Sequence, residues 1–257
     1  MKELHIALVQ TPLVWEDPQT NRKLLSDKLE ALKEEVDLII LPEMFTTGFT
    51  MAPETIPAEE GPISLNWMKV QAKKHNAGIM GSIVYTDEGK HFNRLFLATP
   101  EGAVGQYDKR HTFTLAGEDR KYQAGSEKLF FDFKGFRICP LICYDLRFPV
   151  WSRNTEDYDL LVYVANWPEP RIDAWDALLK ARAIENMAYC VGVNRVGADL
   201  NGHQYPGHSA VYDCLGNRVA FSREETTVHA TINKAHLKRN REKLQFLADR
   251  DSFSIEQ

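Results

Sequence analysis

The chain has 257 residues, of which 44% are apolar and 26% are charged, an ordinary composition for a soluble globular protein. Its formal net charge of −5 argues against nucleic acid as a partner, and no apolar run approaches the about 20 residues that span a bilayer. Four cysteines are too few for a disulfide scaffold, and the first residues lack the apolar core of a signal peptide. We therefore expect reduced thiols, a cytoplasmic location and no membrane partner.

Strand-like and helix-like patterns alternate along the first half of the chain. Alternating or continuous apolar runs predict strands, whereas apolar residues at helical spacing predict helices. The predicted strands are 4–10, 37–41, 78–85, 92–98 and 104–108, and the predicted helices are 20–36 and 64–75.

The second half follows the same alternation. The predicted strands are 130–133, 136–142, 160–165, 189–195 and a terminal antiparallel run of 210–213, 218–221 and 228–232, with a turn at 215–217. One helix is predicted to begin near Arg147, another spans 173–187 with Asp173 as its N-cap, and the basic segment 234–243 is predicted to be a solvated helix. Helices dispersed among many strands favour one α/β domain, residues 1–257, in which helices cover two sheets.

Cys143 is the first candidate for chemistry. It ends an apolar strand and precedes a predicted helix start, so unpaired N–H groups and the helix dipole are expected to favour its thiolate. The same N–H groups could receive an oxyanion, as in a nucleophile elbow. A lone cysteine is more commonly a small buried apolar residue, and that interpretation applies to Cys139, Cys190 and Cys214.

Two charged residues follow other predicted strands. Glu43 lies at the carboxyl end of strand 37–41, where ligands collect in α/β folds, and a partly desolvated carboxylate there suits a general base. Lys109 follows strand 104–108, and a fixed ammonium can stabilise a developing oxyanion. Taken alone, the first is more commonly a loop carboxylate and the second a solvated surface charge.

Several segments together resemble the carbon–nitrogen hydrolase superfamily, the nitrilases and amidases. The segments that carry this resemblance are LPEMF at 41–45, YDKRH at 107–111, GEDRKYQAG at 117–125 and CYDLRFP at 143–149, in the family's order. Further segments look most similar to the bacterial omega-amidase branch: FTTGF at 45–49, YVANWP at 163–168 and ARAIENMAYCVGVNRVG at 181–197. Members of that branch hydrolyse the terminal amide of 2-oxo acid amides such as 2-oxoglutaramate.

The resemblance implies a role for each of four residues. Cys143 would be the nucleophile, Glu43 the general base and acid, and Lys109 the cation that stabilises the oxyanion. Glu118 matches a second glutamate that positions the lysine and the substrate amide. The resemblance also implies a four-layer α-β-β-α sandwich, assembly as a homodimer or higher homo-oligomer, and hydrolysis through a cysteine thioester without a cofactor.

The carboxylate of an acid amide needs a cation in the site. Arg147 lies one helical turn after Cys143, and its planar guanidinium can bind a carboxylate through two hydrogen bonds. A structural salt bridge of Arg147 with Asp145 or Glu185 is an equal alternative.

Other residues at strand ends are candidates for contact with the substrate. The backbone N–H of Tyr144 would share the oxyanion with Lys109. Phe45, Asn166 and Trp167 could line a small apolar pocket. For Phe45 and Trp167, packing in the core is a comparable alternative.

Two other functions stay open. A nitrilase or N-carbamoyl amino acid hydrolase would use the same Glu-Lys-Cys set on another substrate, and a catalytically silent protein could use the fold for binding. The histidines show no H-x-x-H or H-E-x-x-H spacing and no glycine-rich phosphate motif occurs, so we expect neither a metal nor a nucleotide cofactor. The expected partner is a small-molecule amide.

Overall fold

Fourteen strands and five α-helices make up most of the regular structure in residues 2–255, the part of the chain that this computed structural model describes. The strands are β1 (Glu3–Gln10), β2 (Leu38–Ile40), β3 (Gly78–Asp87), β4 (Lys90–Ala98), β5 (Val104–Asp108), β6 (Phe131–Phe133), β7 (Phe136–Ile142), β8 (Leu160–Ala165), β9 (Tyr189–Asn194), β10 (Val196–Ala198), β11 (Gln204–Pro206), β12 (Ser209–Tyr212), β13 (Arg218–Ser222) and β14 (Thr226–Asn233). The α-helices are α1 (Pro18–Glu30), α2 (Glu60–His75), α3 (Pro149–Ser152), α4 (Ile172–Asn186) and α5 (Lys234–Leu244).

Two six-stranded sheets form the centre of the fold. The first has the order β14-β1-β2-β3-β4-β5, and the second has the order β13-β12-β9-β8-β7-β6. Strands β1, β2 and β3 are parallel in the first sheet, as are β7, β8 and β9 in the second. Because parallel strands end at the same edge of a sheet, the residues that follow them collect at that edge.

Alternating side chains on β1 show how the layers stack. Ile6 and Leu8 lie in the core between the two sheets. Ala7 points the other way, into a separate core between the first sheet and helices α1 and α2, which we call the helix-covered core. On the far side of the molecule, Trp175 and Leu179 of α4 pack against the second sheet. The order of layers is therefore helix, sheet, sheet, helix, which confirms the predicted α-β-β-α sandwich.

The predicted strands are confirmed to within about two residues at each end, but helix 20–36 is wrong at both ends. The helix begins two residues earlier because the Asp17 side chain accepts a hydrogen bond from the Thr20 N–H, and Pro18 suits the first turn. It ends at Glu30, although Leu32 and Val36 still pack against the helix-covered core. The chain has to leave the helix there to enter β2 parallel to β1, and this tertiary requirement overrides helix propensity. Helix α2 also begins four residues before its predicted start.

The predicted terminal antiparallel run is wrong in its last member. Strands β12 and β13 pair as expected, and the turn between them is stabilised by Asp213, whose carboxylate accepts from the N–H groups of Leu215 and Asn217. Strand β14 instead joins the first sheet, where it pairs antiparallel with β1 along its whole length. It thereby covers an edge of β1 that would otherwise be open.

The helix predicted near Arg147 begins two residues later, and the predicted N-cap of the next helix is wrong. A 3₁₀ turn spans Cys143–Arg147, and the helix that follows, α3, begins only at Pro149. Phe148 stays extended because a residue before proline disfavours the helical region. Helix α4 begins at Ile172 without any side-chain cap, so Asp173 lies in its first turn. The negative charge of Asp173 there still interacts favourably with the positive end of the helix dipole. None of the helices in residues 2–255 is both long and apolar enough to cross a membrane.

A close backbone approach at Gly125 holds the segment after Lys109 against the end of β5. The Gly125 N–H donates a 2.9 Å hydrogen bond to the Lys109 carbonyl. A Cβ at position 125 would lie 2.2 Å from the carbonyl oxygen of Asp108, which is shorter than any tolerated contact. The absence of a side chain at position 125 therefore lets the loop carrying Glu118 return to the strand that carries Lys109.

We expect Gly125→Ala to lower the free energy of unfolding by about 1–3 kcal/mol, because the added methyl group forces the two backbone segments apart. Urea denaturation of the purified variant measures this change. The exposed neighbour Ala124 supplies a control, since Ala124→Ser should change stability by less than about 0.5 kcal/mol. Equal stability of Gly125→Ala and the parent protein would contradict the close approach.

Candidate active site

The structure brings the four predicted catalytic candidates together at the ends of strands from both sheets. Glu43 follows β2, Lys109 follows β5 and Cys143 follows β7, while Glu118 begins a 3₁₀ turn in the loop after Lys109. The side chains of Glu43, Lys109 and Glu118 are at most 1% exposed. Three charged side chains and a thiol thus share one buried site.

Lys109 lies between two carboxylates. Its Nζ donates hydrogen bonds to Glu43 Oε1 at 2.9 Å and to Glu118 Oε1 and Oε2 at 3.0 and 2.9 Å. Burial alone would lower the pKa of Lys109, but the carboxylates of Glu118 and Glu43 raise it above its usual value. The side chain is therefore a permanent cation, as stabilisation of an oxyanion requires.

The Glu43 carboxylate is held on both of its oxygens. Oε1 accepts from Asn93 Nδ2 at 2.8 Å as well as from Lys109, and Oε2 accepts from the backbone N–H of Asn166 at 2.8 Å. The Asn166 side chain also donates to the Glu43 carbonyl at 2.7 Å. Asn166 belongs to the second sheet, so it fixes Glu43 of the first sheet against the strand end beside Cys143.

Cys143 has the backbone geometry of a nucleophile elbow. Its φ of 44° lies in the left-handed region, which is uncommon for residues other than glycine and is found where a turn is held by its surroundings. The Asp145 carboxylate supports the turn by accepting from the N–H of Ile142 at 3.0 Å. This conformation turns the thiol out of β7 and into the site.

The thiol of Cys143 is neutral at rest, contrary to the expectation that a helix dipole would favour its thiolate. Burial raises its pKa well above the usual value, and the negative charge of the nearby Glu43 carboxylate adds to that effect. Lys109 acts in the opposite direction but does not outweigh them. The helix-dipole argument fails because the turn that begins at Cys143 is a five-residue 3₁₀ turn with little dipole.

Glu118 is fixed more tightly than its place in a loop suggests. Besides the bonds from Lys109, its Oε2 accepts from the backbone N–H of Phe113 at 2.5 Å, and its Oε1 lies 3.3 Å from Asn93 Nδ2. Burial raises the pKa of Glu118, and the Lys109 ammonium offsets this only in part. Such a group can hold Lys109 in place and accept a hydrogen bond from a substrate amide.

Sequence reasoning missed two residues that organise the site. Asn93 donates to both Glu43 and Glu118, but it lies between His91 and Arg94 in β4, so no sequence pattern distinguished it. Asp145 is fully buried and accepts from Tyr107 Oη at 2.8 Å and from the backbone N–H of His111 at 3.0 Å. Through these contacts it joins the turn of Cys143 to the segment that follows Lys109.

A cavity of about 310 Å³ opens onto Cys143 and Lys109. Its lining includes three of the predicted contact residues, Tyr144, Asn166 and Trp167, together with Arg147. Phe45 does not line it: its side chain is fully buried in the helix-covered core, where its ring lies tilted against that of Trp67 with centroids 5.6 Å apart. For Phe45, the core alternative is therefore correct.

The cavity wall also contains residues that the sequence did not suggest. They come from the loops after β2 and β5, from the segment between β8 and α4 and from the β10–β11 hairpin, which itself was not predicted. These residues are Phe49, Met51, Phe113, Leu115, Ala116, Pro168, Arg171, Asp199, Asn201, His203 and Tyr205.

Arg147 forms neither of the salt bridges considered for it. Asp145 is occupied by Tyr107 and His111, and Glu185 pairs with Arg182 at 2.9 Å. The Arg147 guanidinium instead lies over the ring of Trp167, 5.0 Å from its centroid, and no ion pair joins it to a carboxylate in residues 2–255. It therefore presents an uncompensated positive charge to the cavity.

The part of the chain described here contains no group of three or more His, Cys, Asp and Glu side chains arranged to hold a metal ion. The polar groups nearest Cys143 bind one another, as described for Glu43, Lys109 and Glu118. What the arrangement can do is remove a proton from a thiol with Glu43 and stabilise an oxyanion with Lys109.

Comparison with known proteins gives a consistent family assignment. The family model for carbon–nitrogen hydrolases matches residues 5–242. "Omega-amidase YafV" of Escherichia coli K12 is 45% identical over 257 residues, covering 99% of this chain and all of that one. "2-oxoglutaramate amidase" of Bacillus subtilis is 35% identical over 234 residues, covering 89% and 90% of the two chains. Among solved structures, the protein XC1258 from Xanthomonas campestris superposes over the full length of both chains with a TM-score of 0.96 and 44% identity; its crystal structure carries an arsenic adduct in the active site.

We expect Glu43→Gln to increase the rate at which iodoacetamide alkylates Cys143 at neutral pH. Removing the carboxylate removes a group that raises the pKa of the thiol, so more thiolate is present at a given pH, about tenfold more for each pH unit that the pKa falls. The measurement is the pH profile of Cys143 alkylation by mass spectrometry. Lys109→Met is the opposite control and should slow alkylation, because Lys109 lowers that pKa. A slower reaction in Glu43→Gln would contradict the assigned electrostatics.

Proposed function

Because the chain belongs to the carbon–nitrogen hydrolase family, we propose that it is an omega-amidase, which hydrolyses the terminal amide of 2-oxo acid amides such as 2-oxoglutaramate. The observation that carries the proposal is the buried Glu43–Lys109–Cys143 cluster opening onto a cavity that also presents the unpaired guanidinium of Arg147. The similarity to omega-amidases over nearly the whole chain supports the same reaction.

In the first half of the reaction, Glu43 acts as a base. It accepts the proton from Cys143 Sγ while the sulfur attacks the amide carbon, so charged thiolate need not accumulate beforehand. The resulting oxyanion is stabilised by the Lys109 ammonium and by the backbone N–H of Tyr144. Glu43 then donates its proton to the departing nitrogen, which leaves as ammonia, and the acyl group remains on Cys143 as a thioester.

In the second half, Glu43 acts as a base again. It takes a proton from a water molecule as that water attacks the thioester carbon, and Lys109 and the Tyr144 N–H stabilise the second oxyanion. When the intermediate collapses, the proton returns to the sulfur of Cys143 and the carboxylic acid is released. Glu118 does not exchange protons in this scheme; it keeps Lys109 directed at the oxyanion and accepts a hydrogen bond from the substrate amide.

The distal end of the substrate would contact Arg147. A guanidinium with no carboxylate partner can bind the substrate carboxylate through two charge-assisted hydrogen bonds. Stacking on Trp167 leaves the edge of the guanidinium, which carries its N–H donors, available to the cavity. Asn166 and Trp167 would form the wall against which the chain of the substrate packs.

We expect the wild-type protein to release ammonia from 2-oxoglutaramate faster than from nitriles or N-carbamoyl amino acids. We expect Cys143→Ala to fold but to have no activity on 2-oxoglutaramate. Lys109→Met should lower kcat by about 10²–10³, the range for loss of an oxyanion donor. The measurement is coupled detection of ammonia, with circular dichroism as the control for folding. Faster release from a nitrile or a carbamoyl substrate would favour the alternative functions, and activity in folded Cys143→Ala would exclude a thioester.

We expect Arg147→Met to reduce the preference for acid amides over neutral amides of equal length by about one to two decades in kcat/KM, because a charge-assisted contact is worth roughly 1.5–3 kcal/mol. Methionine keeps much of the side-chain volume but lacks the donors. The quantity to compare is the ratio of kcat/KM for 2-oxoglutaramate to that for pentanamide in each protein. Equal losses on both substrates would mean that Arg147 is structural.

We also propose that residues 1–257 form one catalytic domain that works in the cytoplasm as a homodimer or higher homo-oligomer. A continuous core between the two sheets, containing residues of both, supports a single domain. The dimeric state rests on the family resemblance, and the cytoplasmic location on four cysteines that are free in the described fold. Light scattering coupled to size-exclusion chromatography tests the assembly.

A further inference from the structure

A second guanidinium in the cavity has no role in the mechanism described above. Arg171, at the start of α4, lines the same cavity as Cys143, and its guanidinium carbon lies 5.1 Å from the ring centroid of Phe113. Like Arg147, it forms no ion pair with any carboxylate between residues 2 and 255. Both guanidiniums therefore lie on aromatic rings in the wall of one cavity, without a counter-charge, and are free to bind a hydrogen-bond acceptor or an anion.

Trp167, in the same cavity wall, contacts both arginines. Its indole Nε1 donates a 2.7 Å hydrogen bond to the carbonyl of Arg171, while the guanidinium of Arg147 lies over its ring. Its backbone N–H donates to Asn194 Oδ1 at 2.7 Å, and only 3% of the residue is exposed. A fixed indole therefore anchors the backbone of Arg171 and underlies the guanidinium of Arg147.

The carboxylate in this wall does not neutralise them. Asp199 accepts four hydrogen bonds from its own hairpin: from the backbone N–H groups of Asn201 and His203, from His203 Nδ1 and from Tyr205 Oη, at 2.9–3.1 Å. Its side chain is only 3% exposed. Its charge is satisfied within the hairpin, so the wall that faces a ligand is positive at Arg147 and Arg171.

We propose that Arg171 selects the substituent on the carbon next to the substrate carboxylate: it donates a hydrogen bond to a 2-oxo oxygen and repels a 2-ammonium group. The proposal rests on the proposed function, in which Arg147 binds the carboxylate. A carbonyl oxygen accepts hydrogen bonds, whereas an ammonium has only donors and carries the same charge as the guanidinium. The site would thereby hydrolyse 2-oxo acid amides and spare amino acid amides such as glutamine, which has the same length and the same terminal amide.

Three substrates of equal length separate this role from general binding. They are 2-oxoglutaramate, L-glutamine and glutaramate. Glutaramate has the carboxylate and the amide but carries no substituent on the carbon next to the carboxylate. For each protein, kcat/KM on the first two is divided by kcat/KM on glutaramate, so that loss of carboxylate binding cancels. Arg171→Met removes the charge and the donors, and Arg171→Lys keeps the charge.

We expect the ratio of 2-oxoglutaramate to glutamine to fall by about tenfold or more in Arg171→Met, because repulsion between two cations within contact distance is removed. Arg171→Lys should keep the ratio to within about threefold of the wild-type value, since the charge remains. The matched control is Arg223→Met, which removes an exposed guanidinium that also lies over a phenylalanine, Phe221, outside the cavity; its ratio should equal that of the wild type.

Several results would overturn the proposal. An unchanged ratio in folded Arg171→Met, or an equal loss on all three substrates, would show that Arg171 acts only in packing. A lysine variant as unselective as the methionine variant would contradict the charge argument. If the wild-type protein hydrolysed none of the three amides, the proposed function would fail and this proposal with it. If instead the wild-type preference for 2-oxoglutaramate over glutamine persisted in Arg171→Met, only this proposal would be overturned.

Discussion

The burial of the Lys109 ammonium between Glu43 and Glu118 is the constraint on which the rest of the site depends. Taking a charged group out of water costs several kcal/mol, and only well-placed partners offset that cost. Lys109 has such partners at 2.9–3.0 Å, and Asn93 connects the two carboxylates that supply them. Since loss of one member would leave the others buried without compensation, the three charges have to be assembled together.

That constraint explains why the site lies where two sheets meet. Glu43 and Lys109 come from the first sheet, while Cys143 and Asn166 come from the second. The apolar core between the sheets fixes the separation of these strand ends, because close-packed side chains leave little freedom for one sheet to slide on the other. Asn166 then joins the two halves directly through its hydrogen bonds to Glu43. The geometry that would let Glu43 deprotonate the thiol in the proposed reaction is thus a product of the whole core.

Local patterns were enough to predict twelve of the strands, because apolar runs mark strands, and they made Glu43, Lys109 and Cys143 candidates at strand ends. Their catalytic roles, and Glu118 altogether, were implied only by the family resemblance. Features decided by distant partners could not be predicted in this way. Strand β14 pairs with β1 across the whole length of the chain, and the short hairpin that carries Asp199 has too few apolar residues to show a period. Phe45 and Trp167 looked alike in sequence, yet the turn after Glu43 buries the first while the second lines the cavity.

Under the proposed function, the charges around the cavity also orient the substrate. The Glu43–Lys109–Glu118 cluster has two carboxylates and one ammonium, whereas the cavity wall also presents the guanidiniums of Arg147 and Arg171. The cluster would repel the carboxylate of an acid amide and the two arginines would attract it, which would direct the neutral amide toward Cys143. The raised pKa of the thiol fits this arrangement, because a resting thiolate would add negative charge beside Glu43. In the proposed reaction, negative charge would develop on the substrate oxygen, next to Lys109, only when the amide is in place.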